Sequence, residues 1–448
     1  MDRVRSRYLR TREKSGWVVV YHELHPDPVY FRSEAWQEYL SCPDAVSNIH
    51  GFLEERGLLV GSQADDDAEY ARVADKLMRK LSEPTILYLM LAQGCNFACS
   101  YCPIPGMAAR YGETLLTPED AAKGVRLWNE HLREHSPDDS RFLIFYGGEP
   151  LLNKPTFASV LADIEKLKRD GELATRNLNL MLATNGSLVD EDVLDLCVRH
   201  EILVAVGLDG PAAINDRHRR LAVGGGTYEK IVGAVTALRR RGVKVAVSAS
   251  LTPENVGKTE DVIRVYQELG VEKFGFNFMK GRAAQELVPE GGREAFERAA
   301  ISTVLEGLWK YGAARYEYQS EKKVSAFRAR DFFPVDCTCY GNQLVIQPDG
   351  QVSNCPFYKA NLGHVSSIGK EFRIAKTTVV TEWRKRLPLY HPDFRDVDAK
   401  ALCGSGCAWG SLDADGHPYT VERVTKIFSE EAFNEIIWSE LDRSSSGC

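Results

Sequence analysis

Six apolar runs, each followed by a stretch that reads as an amphipathic helix, constrain the architecture of this chain more than any other feature. The runs are ILYLMLA (86–92), RFLIFYGG (141–148), LNLMLATNG (178–186), LVAVGLDG (203–210), KVAVSASL (244–251) and KFGFNFMKG (273–281). Each is continuous rather than alternating, as expected for strands of a parallel sheet covered on both faces. Helix starts are legible between them. Thr117, followed by Pro118, Glu119 and Asp120, reads as an N-cap with proline at the first helical position, and Thr227 reads as the cap of the helix through TALRRRG. Six βα units predict an α/β fold, a partial (β/α)6 barrel whose functional residues lie at the carboxyl ends of its strands.

The chain of 448 residues is too long for one core of ordinary size. Residues 1–84 read as a small N-terminal unit: WVVVYHEL and PVYF flank the turn signal HPDP, and AVSNIHGFLEERG reads as a helix ending at Gly57. Strands followed by short helices predict a winged-helix-like module, closed by the helix-favouring DDDAEYARVADKLMRKLSEP. Residues 85–325 carry the barrel, and 326–448 turn to aromatics, turns and cysteines. A hydrophobic share of 44% with 27% charged residues is that of a folded domain rather than a disordered one. The net charge of −7 is spread along the chain without a basic stripe, so no nucleic-acid partner is expected. No apolar run spans a bilayer and the N-terminus lacks a secretory signal, so the expectation is a cytoplasmic protein without a membrane partner.

In a reducing compartment the eleven cysteines read as ligands rather than disulfides. Eight fall into groups, at 95–102, 337–355 and 403–407, while Cys42, Cys197 and Cys448 stand apart. Cys42 and Cys197 read as buried apolar residues. Just after the first strand, LAQGCNFACSYC sets Cys95, Cys99 and Cys102 at CxxxCxxC spacing on one loop. Three thiolates so placed can hold three corners of a [4Fe-4S] cube and leave one iron open. A reduced cluster of that kind can chelate S-adenosylmethionine and cleave it to methionine and a 5′-deoxyadenosyl radical. A structural zinc knuckle would need a fourth Cys or His nearby, and this loop has none.

With these motifs in place the sequence resembles the radical S-adenosylmethionine superfamily, which implies a TIM-like partial barrel. The resemblance implies that Tyr101 lies against the adenine. It also implies that Tyr146, Gly147, Gly148, Glu149 and Pro150 form the GGEP element that contacts the methionyl amino group. Thr184, Asn185 and Ser248 then line the cofactor cavity, Ser248 as a ribose or carboxylate contact. Asp209 matches the strand-four acid that faces substrate, and His218 a position often polar in relatives. Asn-Gly and Asp-Gly are also ordinary turn formers.

The later cysteines Cys337, Cys339, Cys355, Cys403 and Cys407 resemble those of the SPASM or twitch domain, which carries auxiliary [4Fe-4S] clusters in peptide-modifying relatives. The segment 356–402 lacks the further CxxC of a full SPASM domain. One auxiliary cluster is expected, a second being open if Cys448 or a non-cysteine ligand joins, and spacing leaves undecided which of the five thiols is spare. Four thiolates would equally suit zinc.

The resemblance implies an enzyme that matures a ribosomally synthesised peptide, forming a carbon–carbon, thioether or ether cross-link. Its leader would add a strand to the N-terminal module, and a reductase or flavodoxin-type donor would supply electrons. The alternatives are a protein side-chain oxidase of the formylglycine-generating kind, a peptide epimerase and, outside enzymes, a metal-binding scaffold or electron-transfer protein.

Overall fold

The structure, a computed structural model, describes residues 3–43, 47–103, 113–311 and 316–445. The N-terminal unit starts with a short strand β1 (Val4–Arg5), then an antiparallel meander of β2 (Leu9–Lys14), β3 (Trp17–His22) and β4 (His25–Arg32). Helices Ser33–Ser41 and Ser47–Glu55 follow, then β5 (Leu59–Val60), which pairs with β1, and a long helix, Gln63–Lys80. The hairpin turn lies at Glu23–Leu24, so the HPDP signal sits inside β4 rather than at the bend. Two prolines are tolerated there because β4 is an edge strand. Gly57, with φ +66°, ends the helix before it, as the sequence indicates.

Strand β3 shows why this unit does not stand alone. Val18 and Val20 pack with Trp36, Tyr39 and Leu53 of the module's own helices, whereas Val19 and Tyr21, on the opposite face, pack with Phe394, Phe433 and Ile437 near the C-terminus. At the hairpin tip, buried Glu23 is held by both Arg10 and Lys400. The N-terminal module thus shares a core and an ion-pair lock with residues beyond 390.

The six apolar runs become β6 (Ile86–Ala92), β7 (Arg141–Gly147), β8 (Leu178–Thr184), β9 (Leu203–Gly207), β10 (Val245–Ser250) and β11 (Lys273–Asn277), all parallel and in sequential order. One expectation is corrected here. The strands are not covered on both faces: Leu180, Leu182, Val204, Val206, Val245 and Val247 are buried against the helices, while the alternate positions Met181, Ala183, Ala205, Gly207, Ala246 and Ser248 stay half-open. The inner positions are mostly small, so their residues do not fill the concave side of the sheet. Thr117 caps its helix as expected, accepting from the Asp120 amide at 3.1 Å. Thr227 makes no such cap; its buried hydroxyl donates to the Arg219 carbonyl and accepts from Asn215.

Short β12 (Tyr316–Glu317) pairs with β11, and the helix Tyr318–Arg328 runs through the boundary expected at 325. The hairpin β13 (Gln343–Ile346) and β14 (Val352–Ser353) forms around Pro348-Asp349-Gly350, with Gly350 at φ +74°. Its first strand pairs in parallel with β6, extending the barrel sheet to nine strands. Nothing in the local pattern signals that long-range pairing. Cys197 is buried as expected, but Cys42 is exposed, because it follows the last turn of Ser33–Ser41 instead of lying on its apolar face. Cys448 lies outside the described residues. No described helix is long and apolar enough to cross a membrane.

Burial also sets a pH dependence. His22 and His131 are almost fully enclosed, and desolvation pushes each down to about 4. Both are then neutral in the fold and become protonated on unfolding below their ordinary value. Their stabilisation is complete above about pH 6.5 and falls away towards pH 4, by up to about 3 kcal/mol for each. Urea unfolding midpoints measured from pH 7.5 down to pH 4.5 should drop steadily, and His131→Leu should flatten part of that drop.

Candidate active site

The loop after β6 carries Cys95, Cys99 and Cys102, all partly accessible. It is held from outside by the segment following β9: the Ala98 amide donates to the Arg220 carbonyl at 2.8 Å, Ser100 to His218 at 3.1 Å and Ala222 to Asn96 at 3.0 Å. Side chains reinforce this seam. Ser100 Oγ lies 2.7 Å from His218 Nδ1, and His218 Nε2 pairs with Glu254. His218, expected as a polar loop position, is therefore a strut behind the cysteine loop.

Burial pushes the Cys95 thiol up to about 11, against the Phe97 amide that donates to its sulfur, and it also raises Cys99, where Arg219 works the other way. Burial thus favours the protonated thiols, and binding a cationic cluster there would release those protons. Among the described residues no three His, Cys, Asp or Glu side chains meet at one point as a single metal ion would need. A cube binds its thiolates at separate irons, and three partly open thiols on one loop fit that requirement.

The GGEP element sits where β7 ends, beside this loop. Gly147 has φ +146°, and a Cβ there would lie 2.5 Å from the Ala92 carbonyl oxygen. The next two amides, of Gly148 and Glu149, donate to Ala92 and Gly94 at 2.9 Å each. Gly147→Ala should therefore break the junction between the two loops, at a cost of about 1–3 kcal/mol in strain alone. Thermal unfolding and equilibrium dialysis with labelled S-adenosylmethionine would read the effect.

Glu149 is fully buried. It accepts from Thr184 Oγ1 and the Asn185 amide at 2.7 Å and from the Leu151 amide at 3.0 Å. Burial raises its carboxyl and those donors oppose the rise. Pro150 opens the single helical turn that follows. Thr184 and Asn185 are thus brought to Glu149, and Asn185 Nδ2 also reaches Asn96 Oδ1 at 2.8 Å and Cys95 Sγ at 3.8 Å. Ser248 stands on the half-open inner face of β10.

Asp209 differs from expectation. It is 1% exposed, and its carboxylate is already occupied: Oδ1 accepts from the Ser250 amide at 2.9 Å, while Oδ2 takes the Tyr101 hydroxyl and Arg219 Nε. A carboxylate so engaged organises the site instead of facing substrate as a free acid. Burial raises the Tyr101 hydroxyl, and the Arg219 guanidinium lies 5.5 Å from the centre of its ring. Arg219 is the residue that sequence reasoning missed. Its only signal was Gly207 at the end of β9, where a Cβ would come within 2.5 Å of the guanidinium nitrogens.

The second cysteine group resolves into four and one. Cys337 and Cys339 hydrogen-bond each other, with Cys355 and Cys407 close enough to influence both. Burial raises Cys339 and Cys355 well above the ordinary thiol range. Cys403 points elsewhere, into the apolar cluster of Phe394, Leu402 and Phe433, with Lys323 and Ser429 as its polar neighbours. Lys280, just beyond β11, adds a cation to the group of four. Burial lowers it, but Cys407, Glu422, Cys337 and Asp336 together more than offset this. Four thiols, Cys339 and Cys355 buried and Cys337 and Cys407 half-buried, beside one cation suit a thiolate-held cluster, whose negative charge a lysine partly balances.

A partial barrel with three thiols on the loop after its first strand, and a glycine-glycine-glutamate turn after its second, is the arrangement expected of a radical S-adenosylmethionine domain. Residues 89–272 match the family model described as Radical SAM superfamily; they are the radical SAM domain of this chain. The chain is 23% identical over 347 residues to the cysteine-type anaerobic sulfatase-maturating enzyme of Clostridium perfringens, covering 72% of this chain and 88% of that protein. It is 28% identical to the pre-heme d1 synthase of Dinoroseobacter shibae, a match spanning 46% of each, so less than half of that relative. Among solved structures, native anSMEcpe with bound AdoMet aligns with a TM-score of 0.65 at 19% identity, covering 81% of this chain and 99% of the other. Streptococcus suis SuiB bound to precursor peptide SuiA aligns with a TM-score of 0.51 at 14% identity, covering 95% and 100%.

Proposed function

We propose that this enzyme matures a ribosomally synthesised precursor peptide, joining two of its residues by a carbon–carbon, thioether or ether bond. The observation that carries the reading is that the four-thiol site of Cys337, Cys339, Cys355 and Cys407 adjoins the half-open inner face of the barrel. Tyr146, beside the GGEP turn, meets Phe357, two residues after Cys355, at 6.1 Å between ring centres. A peptide in that space would touch both centres.

When bound, the first cluster and S-adenosylmethionine supply a 5′-deoxyadenosyl radical that takes one hydrogen atom from the peptide. The substrate radical then loses one further electron and a proton as the new bond forms, so the peptide loses two hydrogens in all. Cys337, Cys339, Cys355 and Cys407 would hold an auxiliary [4Fe-4S] cluster, which would supply a one-electron acceptor, in a domain of the SPASM or twitch type (326–448). Glu149, Thr184 and Asn185 orient the methionyl end, Tyr101 the adenine, and Ser248 lines the cavity. Arg219 and Asp209 hold Tyr101 in place. A reductase or flavodoxin-type protein supplies the first electron.

Residues 1–84 recognise the leader as a winged-helix-like module. The strand phases say which edge can receive it. Pro26 and Pro28 remove amides from β4, and Pro28 faces outward, since Val29 and Phe31 pair towards β3. On β2, Arg10, Arg12 and Lys14 pair with β3, so Thr11 and Glu13 present their amides and carbonyls outward. A leader would pair there. Relatives that mature sulfatases support a second reading, oxidation of a cysteine or serine side chain.

Co-expression with a candidate precursor, followed by tandem mass spectrometry, separates these. The proposal expects loss of two hydrogens, with backbone fragmentation suppressed between the joined residues. An unchanged mass with a D-residue would mean epimerisation, and an aldehyde that reacts with hydrazine would mean formylglycine; either overturns the cross-linking reading.

A further inference from the structure

Four aromatic side chains run from the inner face of the barrel, beside the GGEP turn, to the four-thiol site, and of these only Tyr146 has a role implied by the resemblance, in the element at the methionyl end. Tyr88 of β6 meets Tyr146 of β7 edge to face at 5.9 Å. Tyr146 meets Phe357 at 6.1 Å, and Phe357 meets Trp409 at 5.2 Å. Their positions follow from the fold. Tyr88 and Tyr146 project from the sides of their strands opposite Leu87, Leu89, Leu143 and Phe145, which are buried against the helices. Phe357 and Trp409 each stand two residues beyond a thiol, Cys355 and Cys407. All four rings are half-buried.

An aromatic ring left half-open within a concave site is surface that a ligand can still desolvate, and edge-to-face neighbours hold its orientation. Across the sheet the inner positions of β9 and β10 include Ala205, Ala246 and Ser248, whose side chains are small, while the space at Gly207 is taken by the Arg219 guanidinium. Because such a wall carries no charge, it discriminates by shape and apolar area rather than by charge.

We propose that Tyr88, Tyr146, Phe357 and Trp409 form the subsite that receives an aromatic or long aliphatic side chain of the peptide substrate, at or beside the modified residue. This inference rests on the peptide-maturing reading above and names the side-chain class that reading leaves open. A peptide carrying serine or aspartate at that position gains nothing from the wall, and one carrying tryptophan, phenylalanine or leucine covers it.

The test uses a defined probe, the short peptide acetyl-Gly-Gly-X-Gly-Gly-amide with p-benzoylphenylalanine at X, irradiated anaerobically with the reconstituted full-length protein and S-adenosylmethionine. Mass spectrometric mapping should place the adduct on the fragments bearing Phe357 or Trp409. Unlabelled peptide with tryptophan at X should compete about ten-fold better than the same peptide with serine. Labelling should fall in Phe357→Ser and Trp409→Ser and return in Phe357→Tyr and Trp409→Phe, which keep a ring. Should the serine variants fail to fold, the competition in the wild type decides. Equal competition by the serine peptide, or an adduct spread over the outer surface, would overturn the subsite. Release of 5′-deoxyadenosine by the wild type without peptide is read in parallel. Its absence would sink the radical reading while leaving the labelling result intact, so the two failures are distinguishable.

Discussion

Replacing Cys403 by alanine is expected to leave the iron content of the anaerobically reconstituted protein unchanged, whereas Cys339→Ala should remove about half of it. The wild type should hold about eight irons, the Cys95, Cys99 and Cys102 triple-alanine variant about four, and Cys339→Ala about four. The contrast follows from where the two thiols point: Cys339 lies among Cys337, Cys355 and Cys407, and Cys403 among Phe394, Leu402 and Phe433. Losing Cys403 costs packing only, on the order of 1 kcal/mol. Iron and sulfide analysis, with electron paramagnetic resonance of the dithionite-reduced proteins, reads the outcome. Equal loss from the two single variants would show that the ligand set is drawn wrongly. Formation of 5′-deoxyadenosine in the triple variant would remove the basis of the radical assignment.

The second large effect is expected at Arg219. Arg219→Met strips a buried carboxylate of its cationic partner, since Asp209 is 1% exposed and Arg219 itself is mostly enclosed. Breaking one side of a buried pair costs about 3–5 kcal/mol. The same change frees the Tyr101 hydroxyl's partner to rearrange, within a loop that must present Cys99 and Cys102 to one cluster. The expected result is a lower urea midpoint together with loss of 5′-deoxyadenosine formation, while circular dichroism at moderate temperature stays that of the wild type. Arg219→Lys keeps the charge but not the planar fork, so it should recover stability better than activity. Asp209→Asn keeps the shape and leaves Arg219 as the uncompensated charge. It should destabilise to a similar degree, and stability within error of the wild type would show that the pair is not coupled.

How far the sequence could be read depends on the range of the interactions involved. The six barrel strands were legible, to within a few residues at their ends, because each is a short local run of apolar residues bounded by turn signals, even though one face of the sheet is left half-open. The cysteine loop and the glycine-glycine-glutamate turn were legible for the same reason: each is a short segment whose residue types are set by one task. Gly147 is the clearest case, since the close approach to Ala92 admits no side chain.

Other features were not local. That Asp209 is consumed by Tyr101, Arg219 and Ser250 depends on three segments converging, and nothing at Asp209 itself distinguishes an occupied carboxylate from a free one. Thr227 has the residue type of a cap, yet its hydroxyl found better partners in Arg219 and Asn215. The pairing of β13 with β6 joins residues some 250 positions apart, and the lock of Glu23 on Lys400 joins residues further apart still.

The sequence by itself therefore determined the barrel, the cysteine loop after its first strand and the presence of a second group of thiols, because backbone periodicity and residue spacing act over a few residues. Only the tertiary structure decided that Cys403 lies apart from the other four thiols, that Arg219 rather than a free Asp209 organises the cysteine loop, and that the N-terminal module is built onto the C-terminal region. Those outcomes depend on which distant side chains compete for one buried space, and burial is a property of the folded chain rather than of any stretch of it.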